Sequence, residues 1–84
     1  MQTTKHHYSN DHSVGSFDAI IDHRRFGVSF TNHINGAYEV FMFEKCLQKR
    51  PYMCDFNSHT DNFNCVLTQV EFVLTQHVKK ESDL

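Results

Sequence analysis

One dipeptide constrains this chain more than any other feature: Asn35-Gly36, set between the alternating stretches FGVSFT (26–31) and AYEVFMF (37–43). Asn and Gly both accept positive φ, as the two central positions of a type I′ turn require, so apolar alternation on either side of the pair predicts a β-hairpin. Counting outward from a two-residue loop sets Ile34 opposite Ala37, Asn32 opposite Glu39, Phe30 opposite Phe41 and Val28 opposite Phe43. Large apolar groups from both strands then share one face. The same count puts His33 with Tyr38, Thr31 with Val40 and Ser29 with Met42 on the other face, which is mixed rather than polar.

The flanking segments extend this hairpin into a sheet. A four-residue loop at 22–25 brings Ile21 opposite Phe26, Ala19 opposite Val28 and Phe17 opposite Phe30, adding a strand with its apolar side on the same face. A fourth strand from Tyr52 to Phe56, after a turn at 48–51, adds Cys54 and Phe56 to that face, although it sets Glu44 against Asp55. The period then changes. Phe63, Val66, Leu67, Val70, Val73, Leu74 and His77 fall on one helical stripe, with Thr60 or Asp61 as N-cap and Lys79 and Lys80 where the helix dipole favours cations. Residues 1–16 have no period and few apolar groups, and are expected to form a flexible arm. The expected fold is α+β: a three- or four-stranded antiparallel β-meander with one C-terminal amphipathic helix packed on one face, forming a single small domain over residues 17–84.

Eighty-four residues leave no room for a second core. A net charge of −2 gives neither the basic footprint of a typical nucleic-acid binder nor the dense acidity of a DNA mimic. The absence of an 18-residue apolar run and of a signal-peptide pattern in the first thirty residues predicts a soluble, cytoplasmic protein without membrane contact. Three cysteines at wide spacing fit reduced thiols better than a disulfide framework.

Candidate chemistry is sparse. Cys46, Cys54, His59 and Cys65 form a donor set that zinc could use, but seven, four and five residues intervene and there is no C-x-x-C knuckle, so the expectation is no metal and no cofactor. Cys54 with His59 is the one local thiol–base pair, and no oxyanion-hole glycines accompany it. Three glycines provide neither a phosphate loop nor a nucleophile elbow, which argues against an enzyme. A nucleic-acid reading rests on His23-Arg24-Arg25 and on Lys49-Arg50 with Tyr52, basic clusters beside an open sheet face.

The surface left uncovered is the more informative feature. Ile20, Tyr38, Val40 and Met42 stand on the outer face in this register, among Ser29, Thr31 and His33, and Phe72 points away from the helix's apolar stripe. Strand propensity alone, or coverage by the N-terminal arm, would account for such a face. Aromatic and Met side chains among small polar ones are also what interface cores contain. The contact residues expected on this basis are His33, Tyr38, Val40 and Met42, with Arg24, Arg25 and Phe72 secondary. The function expected is that of a non-enzymatic module binding another protein, or a second copy of itself, as a regulator or inhibitor. On grounds of size rather than of any residue, a phage or mobile-element inhibitor of a host defence enzyme such as a CRISPR effector fits this description. A nucleic-acid-binding domain and a small Cys/His zinc domain are the alternatives.

Overall fold

The computed structural model describes residues 1–32, 36–45, 53–60 and 62–82. The elements are β1 (Gln2–Tyr8), β2 (Val14–Ile21), β3 (Arg24–Asn32), β4 (Tyr38–Glu44), β5 (Met53–Ser58) and α1 (Phe63–Ser82). The strands form one antiparallel sheet in the order β1-β2-β3-β4-β5, and α1 packs on one of its faces. This is the expected α+β meander with its C-terminal helix, enlarged by a strand.

The additional strand comes from the segment expected to be an arm. Residues 2–8 pair with β2 from Gln2↔Ile20 to Tyr8↔Gly15. The polar sequence QTTKHHY hides this strand because only one large apolar side chain, Tyr8, reaches the core. Its ring meets Phe30 at 5.5 Å and Phe63 at 5.3 Å. Backbone pairing to β2 supplies the remainder, with a bulge where Lys5 and His6 stand against Phe17 and Lys5 takes φ 54°.

The β2–β3 connection is tighter than expected. Ile21 pairs with Arg24, so only Asp22 and His23 form the loop, and their φ values of 52° and 66° are those of a type I′ turn. The strands slip by two residues relative to the four-residue loop, which preserves the faces: Phe17, Ala19, Phe26, Val28 and Phe30 are all buried beneath α1.

The β3–β4 register differs by one residue, and this reverses β4. Phe30 pairs with Val40, Val28 with Met42 and Asn32 with Tyr38, leaving five residues between the last paired positions. Gly36 has the positive φ, 79°, that the turn signal requires, while Asn35 lies outside the described residues. A single-residue shift moves every side chain of a strand to the opposite face. Tyr38, Val40 and Met42 are therefore core residues with at most 2% exposure, and Phe41 and Phe43 stand outside at 39% and 36%. The physical reasons are Glu39 and Gly27: the observed register keeps the Glu39 carboxylate off the helix-facing side, and Gly27 leaves room on the outer face for the Phe43 ring.

β5 brings Cys54 opposite Met42 and Phe56 opposite Val40, on the helix side as expected, but the pairing sets Asp55 against Phe41 rather than Glu44. Along α1 the residues Val66, Val70, Leu74 and Val78 are buried, with Phe63, Leu67 and Val73 packed at the margins. The N-cap is Asn62, whose Oδ1 accepts from the Asn64 amide at 3.0 Å; Thr60 instead accepts from the Asn62 amide, and Asp61 lies outside the described residues. Lys79 and Lys80 occupy the last turn. No described helix is long and apolar enough to cross a membrane.

Candidate contact surface

The outer sheet face is built by alternation on all five strands. Position by position across the sheet, one row runs Thr4, Asp18, Gly27, Phe43 and the next runs His7, Ser16, Ser29, Phe41, Asp55. Phe43 lies across its cross-strand partner Gly27 so closely that a Cβ at position 27 would meet the ring at 2.6 Å. Glycine is thus what lets the ring lie flat on the sheet. Phe41 lies alongside, with ring centroids 6.4 Å apart at 39°. The two rings form a ridge, and Phe43 borders a groove of ≈ 320 Å³ lined also by Lys5, His7, Asp18 and Lys45.

Asp18 organises the polar half. Its carboxylate is buried on the outer face, accepting from Lys45 Nζ at 2.7 Å and from Arg25 Nη1 at 3.2 Å. Burial pushes this carboxyl up, but the hydrogen bond and charge of Lys45, together with Arg25, outweigh it and hold the group below the usual carboxylate range. Among the described residues cations and anions on the face are equal in number: Lys5, Arg25 and Lys45 stand with Asp18, Glu39 and Asp55.

The expected contact residues separate under this geometry. Tyr38, Val40 and Met42 are not contact residues: they are buried under α1, and the Tyr38 hydroxyl donates to the His12 carbonyl at 2.6 Å, fastening the β1–β2 loop. Arg24 also serves the interior. It points to the helix side, bonds Glu44 through Nε at 2.7 Å and Nη2 at 2.5 Å, and reaches Glu81 at 2.8 Å, tying the end of α1 to the sheet. The hydrogen bonds from Arg24 hold the Glu44 carboxyl below its ordinary range against the opposing effect of burial. Arg25 does stand on the outer face, engaged with Asp18. Phe72 is exposed on the back of the helix, and His33 lies outside the described residues.

Phe41 and Phe43 are the surface residues that counting from the turn missed. The signal that could have found them is Gly27, whose missing side chain marks a place on β3 where a neighbouring ring can lie.

Of the zinc candidates, Cys54 is half-buried on the helix side of β5, Cys65 is exposed on α1, His59 is an exposed residue after β5, and Cys46 lies outside the described residues. Among the described residues no three His, Cys, Asp or Glu side chains converge as a metal site, and Cys54 and Cys65 are free thiols. The basic pair Lys49-Arg50 and Tyr52 also lie outside the described residues. No family model, curated protein or solved structure matches the chain, so this surface is interpreted from its geometry.

Proposed function

We propose that the protein is a non-enzymatic binding module that acts on a larger protein partner, as a regulator or inhibitor, through its outer sheet face. The observation that carries this reading is the Phe41–Phe43 ridge, two large rings held on a face that α1 does not cover. Aromatic anchors beside small hydroxyl residues, with cations and carboxylates interspersed, suit a protein interface. They suit a phosphate backbone poorly, because binding a polyanion requires surplus cations, and among the described residues of this face the cations are matched in number by carboxylates.

The test compares affinity capture from source-cell lysate by the wild-type protein and by Phe41→Glu and Phe43→Glu variants, with thermal unfolding confirming that each variant folds. A partner retained by the wild type and lost by both variants supports the proposal. Equal retention by all three sinks it, and retention of a random oligonucleotide that declines steeply with salt would favour the nucleic-acid alternative instead.

A further inference from the structure

We infer that the groove beside Phe43 receives an acidic side chain, Asp or Glu, from the protein partner, so that the segment bound on this face carries a carboxylate within two residues of an apolar side chain. This rests on the outer sheet face being the contact surface, and it gives the chemistry of the partner at that surface.

The groove is a trough with a floor of small residues. Ser16 and Ser29 face each other across β2 and β3, and Gly27 continues the floor beside Ser29. The two walls differ: the Phe43 ring stands on the β4 side, Lys5 and His7 on the β1 side. Its volume of ≈ 320 Å³ is about ten times the share of one water molecule in the liquid, which is room for a side chain of the partner. Over Gly27 the apolar and the cationic parts meet, since a Cβ there would stand 2.6 Å from the Phe43 ring and 3.2 Å from Cε of Lys45. A segment seated at that point touches an aromatic ring and a lysine together.

Charge selects the sign of the occupant. Cations and carboxylates are equal in number over the described face but are not evenly spread across it. Lys5, Arg25 and Lys45 stand around Asp18 at the groove end, three cations to one carboxylate among the described residues. The Asp18 side chain is 6% exposed and accepts from Lys45 and Arg25 through its two oxygens, so it is not open to a cation of the partner. The Lys45 side chain is 38% exposed, and an ammonium that gives one hydrogen to Asp18 keeps two for another acceptor. Lys5 is exposed and has no hydrogen-bond or ion-pair partner among the described residues, although its charge is near enough to favour the ionised Asp18. The balancing carboxylates are remote. Asp55 lies beyond Phe41 on β5, and Glu39 precedes Lys45 by six residues, about 20 Å of extended chain and more than twice the Debye length of about 8 Å. The groove end is therefore net positive over the range that a bound side chain senses, and a carboxylate there has Lys5 and Lys45 on either side to donate charge-assisted hydrogen bonds. A nucleic-acid strand long enough to cover the face would run on from these cations to Asp55 and Glu39.

Selection of a displayed library of random peptides on the intact wild-type chain tests this. The expected result is enrichment of Asp or Glu within two residues of an aromatic or aliphatic side chain. Affinity of the selected peptides should fall with added salt, fall at least about tenfold in Lys5→Gln, be lost in Phe43→Glu, and stay unchanged in Gln69→Glu on the exposed back of α1. Lys5→Gln removes a charge that no described residue pairs with, so the fold is retained. No enrichment, enrichment without an acidic preference, equal affinity for wild type and Lys5→Gln, or displacement of the peptides by an equal concentration of a random oligonucleotide would overturn the inference. Peptides that require Phe41 and Phe43 but show no acidic preference overturn it while leaving the contact surface standing. Peptides indifferent to both rings remove that surface, and this inference with it.

Discussion

The assignment of β4 is open to a direct thermodynamic test by truncating adjacent residues. Met42 has no exposed surface and packs opposite Val28 and Cys54, whereas Phe41, its neighbour in sequence, stands outside opposite Ser29 and Asp55. Met42→Ala removes buried volume that the surrounding rings cannot fully collapse to fill, which costs about 3 kcal/mol within the usual range for such truncations. Phe41→Ala loses partial contacts and strand propensity on a solvated face, about 1 kcal/mol. In a domain of this size the larger loss is a substantial fraction of a total stability of about 4–13 kcal/mol. It should lower Tm by about 12–24 °C. Urea unfolding at matched concentration measures both, with the m-value serving as the check that the unfolded states are comparable. The refuting result is a reversed order, Phe41→Ala costing more than Met42→Ala, because that is what the register with Phe30 opposite Phe41 requires.

Two further outcomes follow from the β2–β3 turn and from the carboxylates of Asp18 and Glu44. Asp22 and His23 both hold positive φ without being glycine, so replacing them by Asn-Gly should stabilise the protein by about 1 kcal/mol, read as a higher urea midpoint with unchanged m-value. Asp18 and Glu44 are held below their ordinary pKa values when folded, so their contribution is present above the unfolded carboxylate pKa of about 4 and is lost as pH falls through the folded values. Stability measured from neutral to strongly acidic pH should therefore fall on the acid side, and Asp18→Asn should lower the neutral plateau while flattening that fall.

What was legible in the sequence depended on how unequal the two faces of each segment are. α1 reads directly, since Val66, Val70 and Leu74 are apolar where Cys65, Gln69 and Gln76 are not. β2 and β3 read nearly as well: the loop was too long by two residues, and an even error leaves faces unchanged. β1 was invisible because an edge strand held chiefly by backbone pairing has little need of apolar alternation, and Tyr8 alone does not make a pattern. Asn62 as the cap was within reach of sequence reasoning, being as good a capping residue as Thr60 or Asp61 and nearer the first apolar position.

β4 is a different case, and it decides which residues the outer face carries. Tyr38, Val40, Met42 and Phe41, Phe43 are apolar at both parities, so burial by itself does not choose a face, and the choice passes to features outside the strand. Loop length is one: five residues between Asn32 and Tyr38 give the opposite parity to two. Gly27 is another, because it opens a place on the outer face for one ring at the position that β4 must cross. The apolar excess that first suggested a contact surface on this face is real, but the surface carries Phe41 and Phe43 in place of Tyr38, Val40 and Met42. Charging Val40 or Met42 would therefore place an unpaired charge in the core and unfold the domain. The same substitution at Phe41 or Phe43 leaves the core untouched and alters the surface alone, which makes these two positions the ones at which the proposed binding can be tested apart from folding.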